Sequence, residues 1–297
     1  MALRTWQLFA LAVLVWGTTW HAIIHQLAET PAAWGVGLRF ALAGALCLGV
    51  GMARQEAWRL GPKGLGLAGF QGVFMFSLSY LCVYEAERHV PSGLVAVGYS
   101  LSPLVNGVVS HLIWRTPLSR RFVLGASLGV VGVALIFWPE LQQLNAQRNA
   151  WMGAAFTLGA VLLSSVGSLA SSRNKHLGLP FWSTMGWGML VGSGLTLVWA
   201  AVQGPLPWPL SFNWWWSWAY LAVAGSAVAF ACYLTLQQRL GPGKASTVGV
   251  ATPVLALIMS TALEGFQPQG WTLAGVLLAL VGNGLALELG RPRQDAA

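Results

Sequence analysis

Hydrophobic positions fill this 297-residue chain in runs of about twenty, each broken off by a short cluster of charged residues, glycine or proline. Wound as a helix rising about 1.5 Å per residue, a run of that length covers the roughly 30 Å hydrocarbon core of a bilayer. The pattern predicts ten transmembrane helices, at Trp6–His25, Trp34–Ala53, Gly64–Tyr84, Ser92–Ile113, Phe122–Trp138, Trp151–Ser171, Phe181–Val202, Trp214–Leu236, Ala245–Glu264 and Gly270–Leu289. The breaks, among them RQEAWRLGPKG, EAERHVP, SSRNKHLGLP and QQRLGPGK, carry turn formers and charge. The expected fold class is an all-α integral membrane protein.

Composition agrees. Charged residues make up 8% of the chain, against roughly 25% in an average soluble domain, and no break is long enough to hold a soluble domain. The first run is longer than the usual core of a cleaved signal and shows no small-residue cleavage site, so it is read as a retained helix. The formal charge of +8 raises the question of a nucleic-acid partner. The basic residues sit in the breaks and form no stripe, so no nucleic acid is expected. On alternate sides of the ten helices, one side receives Arg4, Arg54, Arg59, Lys63, Arg115, Arg120, Arg121, Arg173, Lys175, Arg239, Lys244, Arg291 and Arg293, and the other only Arg88 and Arg148. Such an excess marks the cytoplasmic side, which places both termini there. Cys47, Cys82 and Cys232 fall inside runs, far apart and without metal-ligand spacing, so free buried thiols are expected, and no cofactor.

Displaced by 150 residues against itself, the chain aligns Val73 with Val223, Cys82 with Cys232, Gly93 with Gly243 and Pro103 with Pro253. Ser110 meets Ser260, Gly125 meets Gly275 and Gly132 meets Gly282 in the same register. The halves, residues 1–148 and 149–297, then hold five helices each, and an odd number inverts the second relative to the first. Secondary transporters use that arrangement for alternating access around a midplane site; a duplication kept only for folding is the other reading.

Several strings carry a family resemblance: WGTTW (Trp16–Trp20), RF (Arg39–Phe40), SLSPLVNGVVSHLIW (Ser100–Trp114) and GASLGVVGVALI (Gly125–Ile136). The second half answers with GVATPVLALIMSTALEG (Gly249–Gly265) and GVLLALVGNGLAL (Gly275–Leu287). With these the chain resembles, over nearly its whole length, the bacterial drug/metabolite transporter superfamily, in its ten-helix branch of two tandem EamA-type units, and there the aromatic amino acid exporters. The resemblance implies export of small metabolites, amino acids of a broad range especially, across the bacterial inner membrane. It also implies a glutamate closing the fourth and ninth helices; Glu264 fits the second place, whereas Trp114 occupies the first.

Lipid-facing positions have no use for hydroxyls or amides, so polar residues repeating on one helical face mark a bundle interior or a water-filled cavity. In the fourth helix Tyr99, Ser102 and Asn106 share a face, with Pro103 beside them, and Thr252 with Pro253 mirrors this in the ninth. Each proline removes a backbone donor, offering a hinge and a freed carbonyl; a polar patch gluing helices together is the plainer reading. Ser164, Ser165 and Ser168 in the sixth helix either line a cavity or permit tight packing. Phe76, Tyr80 and Tyr84 follow one another at i+4 steps, and Phe230 and Tyr233 stand in the eighth helix. Such rings hold amphipathic solutes by stacking and cation–π contact. Tyr84, near a helix end, reads as an interfacial anchor, as do the tryptophans of NWWWSW (Asn213–Trp218).

Arg39 is a charge inside a helix and therefore a functional candidate, meeting a substrate carboxylate or Glu264; snorkelling outward or satisfying neighbouring carbonyls is the alternative. In the first helix, Trp16, Thr19, Trp20 and Ile23 share one side, and His21 and His25 lie on another. Trp20 is favoured for solute contact, with His21 a packing donor or a titratable gate. No Asp or Glu is placed near a midplane, which predicts transport driven by the substrate's own gradient and argues against lipophilic cations, the runner-up substrate class. An enzyme is not expected, since nucleophile, base and metal ligands do not converge. A channel is disfavoured by the inverted repeat and the lack of a filter loop. Candidate partners are thus small solutes, amino acids first, and the lipid bilayer.

Overall fold

The computed structural model describes residues 3–115, 119–142, 149–208, 210–240, 245 and 248–286. Of the residues discussed above, Arg148, Gly243, Lys244, Arg291 and Arg293 lie outside them, as do the side chains of Ser110 and Trp114. Among the described residues all regular structure is helical. The first helices are α1 (Thr5–Leu27), α2 (Ala32–Ala53), α3 (Pro62–Gly72), α4 (Ser79–His89), α5 (Ser92–Gly98) and α6 (Ser102–Trp114). They are followed by α7 (Arg120–Gln142), α8 (Ala150–His176), α9 (Phe181–Gln203), α10 (Phe212–Ala222), α11 (Ala229–Leu240), α12 (Val248–Leu263) and α13 (Gly270–Ala286).

These helices overlie the predicted runs. Among the described residues, seven helical segments are long and apolar enough to cross a membrane: α1, α2, α8, α9, Pro62–His89, Ser92–Val109 and Phe212–Leu240; Ala251–Leu263 and Gly270–Gly282 are shorter apolar helices. Prolines start several of them, Pro31, Pro91 and Pro180 standing directly before α2, α5 and α9, because the ring fixes φ near the helical value and has no N–H to leave unbonded. Gly265, at φ 68°, ends α12 in the left-handed conformation, and the Phe266 N–H bonds back to the Ser260 carbonyl.

The burial pattern is that of a lipid-solvated protein. Leu112, Val202 and Leu277 are 72%, 74% and 64% exposed, whereas Arg39, Gln71, Ser77, Asn174 and Thr196 are buried. Polar pairs therefore stitch helices from within: Asn174 Nδ2 donates to Gln71 Oε1 at 2.9 Å, and Ser77 and Thr196 hydroxyls meet at 2.6 Å.

Glycines set the closest crossings. A Cβ on Gly132 (α7) would sit 2.7 Å from the Gly275 carbonyl oxygen (α13), and one on Gly282 2.6 Å from that of Gly125. These two contacts exchange under the 150-residue displacement, so α7 and α13 meet through equivalent faces. Two π-helical turns fall in the same register, Val73–Leu78 joining α3 to α4 and Val223–Val228 joining α10 to α11.

Acidic residues in the breaks cap helices that start elsewhere. Glu29 accepts from the Ser211 N–H before α10, Glu56 from Trp182 and Ser183 in the first turn of α9, and Glu264 from Ser92 at the start of α5. Each carboxylate satisfies an unbonded N–H at the positive end of a helix.

Two expected interfacial anchors are instead interior. Tyr84 is fully buried and its hydroxyl donates to Gln26 Oε1 at 2.6 Å. Trp214 is also fully buried, its indole N–H donating to Thr30 Oγ1 at 3.1 Å. Both have a polar partner distant in the chain, Gln26 in α1 and Thr30 in the turn after it, which position along a run does not reveal. Trp6, Trp151, Trp208, Trp216 and Trp271 are exposed, as belt residues are.

Candidate functional site

The helices enclose a cavity of about 110 Å³, on the order of eight times the volume one water centre needs. Trp16, Thr19, Trp20 and Ile23 bring one face of α1 to it. Arg39 comes from α2, Met75 from the first π turn, and Ser79, Tyr80 and Val83 from α4. Tyr99, Ser102 and Asn106 line it from the α5–α6 junction, Ser164, Ser165 and Ser168 from α8, Phe230 and Tyr233 from α11, and Gly249 and Thr252 from α12.

Of the residues singled out from the sequence, Trp20, Arg39, Tyr80, Tyr99, Ser102, Asn106, Ser164, Ser168, Phe230, Tyr233 and Thr252 therefore meet around one cavity. Phe76 stands behind it, fully buried, with its ring 4.9 Å from Phe230 and 5.4 Å from Phe40. His21 lies on the other side of α1, its Nδ1 3.4 Å from Glu264 Oε1 and its ring edge-on to His25 at 5.3 Å.

Six aromatic rings stand in the walls. Trp20 tilts against Tyr99 at 5.4 Å, and Trp16 meets Phe230 at 5.1 Å and Tyr233 at 5.3 Å. The hydroxyls along the wall are largely spent on their own helices: Thr19 donates to the Trp16 carbonyl, Ser164 to Val161 and Thr252 to Val248. At the proline in α6 the expected open acceptor is likewise used. Pro103 leaves the Tyr99 carbonyl without its helical N–H, and Ser102 Oγ takes that place at 2.7 Å, across a short 3-10 turn over Tyr99–Leu101. Pro253 lies inside continuous helix, and the carbonyl it deprives belongs to Gly249, which borders the cavity.

Arg39 is the one strong charge on the wall. It is 1% exposed, its Nε donates to Ser226 Oγ at 2.7 Å and its Nη2 to the Gly225 carbonyl at 3.3 Å. The π turn supplies both acceptors, one a side-chain hydroxyl and the other a backbone carbonyl. Gly225 is required here: a Cβ would lie 2.7 Å from Thr19 and 3.2 Å from Arg39 Nη2. The same carbonyl receives the Trp16 indole N–H at 3.1 Å. The guanidinium stacks over Tyr80 at 4.6 Å. Its Nη1 has no hydrogen-bond partner, and among the described residues no carboxylate lies within ion-pair distance of it. The expected meeting of Arg39 with Glu264 is not made. Glu264 is taken instead by Ser92 Oγ at 2.5 Å, Ser260 Oγ at 2.9 Å and His21.

One acidic residue departs from its place in the sequence reading. Glu87, assigned there to a break, belongs to α4, and both its carboxylate oxygens are buried without a hydrogen-bond partner. The helix runs one turn further than hydropathy indicates, and α8 packs along it, with Gly153 against His89 and Val90. Trp20 Nε1 and Ser165 Oγ are likewise buried without partners.

The model of the EamA-like transporter family matches the chain twice, over residues 4–138 and 151–287. Among curated relatives, the uncharacterized inner membrane transporter YedA of Escherichia coli is 28% identical over 283 residues, covering 92% of this chain and 88% of its own. PecM of Dickeya dadantii is 25% identical over 90% of this chain and 86% of its own, and PagO of Salmonella typhimurium 22% identical over 94% and 91%. A solved crystal structure shares the fold, with a TM-score of 0.69 at 20% identity over 94% of this chain and 95% of that one. An apolar helical bundle around an aromatic cavity with a buried cation is thus matched across its length by membrane transporters, and the chain belongs to the EamA-like transporter family of the drug/metabolite transporter superfamily.

Proposed function

We propose that this protein is a secondary transporter of the bacterial inner membrane that exports small metabolites, foremost amino acids including aromatic ones, by alternating access around the cavity. Its frame is ten transmembrane helices in two inverted halves, 1–148 and 149–297, with both termini cytoplasmic. The paired glycine contacts of α7 and α13, the π turns in one register and the double family match support that frame. The observation that carries the substrate class is Arg39, a buried guanidinium on an aromatic wall with an unused donor. A desolvated cation without a counter-ion is costly, and a solute carboxylate relieves that cost through a charge-assisted hydrogen bond while its side chain packs on Trp20, Tyr99 and Tyr80.

Purified protein in liposomes tests this. Amino acid flux is expected to saturate and to show counterflow, and Arg39→Gln to lower it at least tenfold with insertion unchanged. Linear, non-saturating flux, or full activity without the Arg39 charge, would overturn the reading. Export of lipophilic cations is the second reading, and the buried Glu87 carboxylate favours it. A screen of the twenty amino acids against quaternary ammonium dyes separates the two.

A further inference from the structure

The geometry points to Glu87 as the group that receives the ammonium of an outgoing solute whose carboxylate sits on Arg39, so that the site selects zwitterions. This rests on the reading of the protein as an exporter of amino acids. The register of α4 places Glu87 on the face already lining the cavity: Tyr80 and Val83 border the space, and Glu87 follows at i+7 and i+4. It stands about 6 Å along the helix beyond Val83, just past the residues that line the cavity.

Two groups able to carry opposite charge are buried and left unjoined. Arg39 keeps an unused Nη1, and Glu87 keeps both oxygens unused. Arg39 and Glu264 are the charged groups whose fields reach Glu87, yet neither is within ion-pair distance of it. Glu264 is no substitute, because Ser92, Ser260 and His21 occupy its oxygens. A direct Arg39–Glu87 pair would have closed the gap and satisfied both groups. An α-amino acid carries an ammonium and a carboxylate two bonds apart, and with a hydrogen bond of about 2.9 Å at each end it bridges partners roughly 8 Å apart. One solute then completes both hydrogen-bonding groups, and a solute bearing only one charge leaves the other buried and bare.

The test compares three solutes of one shape in liposomes: phenylalanine, its N-acetyl derivative, which lacks the ammonium, and phenethylamine, which lacks the carboxylate. The native protein is expected to prefer phenylalanine over either by tenfold or more in flux at low concentration. Glu87→Gln is expected to cut phenylalanine transport to near that of N-acetylphenylalanine, which itself stays unchanged; Arg39→Gln should cut it toward phenethylamine. Phenylalanine transport with undiminished preference in Glu87→Gln overturns the assignment and leaves the amino acid reading standing. Transport of none of the three, with dyes accepted, overturns both. Should Glu87→Gln fail to insert, the native protein decides alone, since equal flux of phenylalanine and N-acetylphenylalanine refutes an ammonium site.

Discussion

Glu264 ties together three helices, and its removal has a magnitude that can be worked from the contacts. The carboxylate accepts from the Ser92 N–H at 3.3 Å, Ser92 Oγ at 2.5 Å and Ser260 Oγ at 2.9 Å, with His21 Nδ1 at 3.4 Å as a weaker fourth contact. Charge-assisted bonds in soluble proteins contribute about 1.5–3 kcal/mol each, which would make the cluster worth roughly 5–9 kcal/mol. Interhelical hydrogen bonds in membranes average nearer 0.6 kcal/mol, because the chain unfolded in the bilayer also finds partners. The second figure is the relevant one for these helices, so Glu264→Ala is expected to destabilise by about 2 kcal/mol. At roughly 2–4 °C per kcal/mol, the melting midpoint in detergent should fall by about 4–8 °C. Glu264→Gln keeps one acceptor oxygen and should lose about half as much. A double-mutant cycle with Ser260→Ala is expected to show coupling. An unchanged midpoint in Glu264→Ala, or additive losses with Ser260→Ala, would refute the claim that this carboxylate holds α1, α5 and α12 together.

Two further predictions concern packing and pH. A Cβ at Gly72 would lie 1.8 Å from the Gly188 carbonyl oxygen, backbone against backbone, so Gly72→Ala must push α9 away and should cost about 1–3 kcal/mol in thermal unfolding; Gly66→Ala, with nothing within 4 Å, should be neutral or slightly stabilising. Glu29 lies outside the spans, and the Ser211 hydroxyl and then the Ser211 N–H hold its carboxyl below the usual range. Its folded pKa is depressed, so its stabilisation is present above the unfolded value and is lost as pH falls through the folded one. Tryptophan fluorescence from the neighbouring α10 should therefore loosen below about pH 4, and Glu29→Gln should remove that pH dependence.

Much of the helical layout could be read from the sequence because lipid imposes it. With no water in the hydrocarbon core, a run of twenty apolar residues has one stable conformation, and the observed helices fall over the predicted runs. The cavity wall was legible for a related reason: Tyr99, Ser102 and Asn106 on one face had nowhere favourable to go but inward. On α1 the sequence left two faces open, and packing decided between them, turning Trp16 and Trp20 to the cavity and His21 to Glu264.

What hydropathy could not show is what each polar atom meets, because that depends on residues far away in the chain, 58 positions for Tyr84 and 184 for Trp214. Tyr84 and Trp214 look like interfacial anchors until Gln26 and Thr30 take their polar tips into the interior. Glu87 reads as a loop charge because its neighbours are charged, and only the packing of the helices buries its carboxylate. The sequence by itself determined the helices, their apolar exterior and the set of residues with reason to face inward, since the bilayer dictates these residue by residue. The tertiary structure alone decided that Arg39 goes to a π turn rather than to Glu264, and that Arg39 and Glu87 are both buried and remain unpaired. Those outcomes depend on ångström-scale placement across helices, to which a one-dimensional pattern is blind.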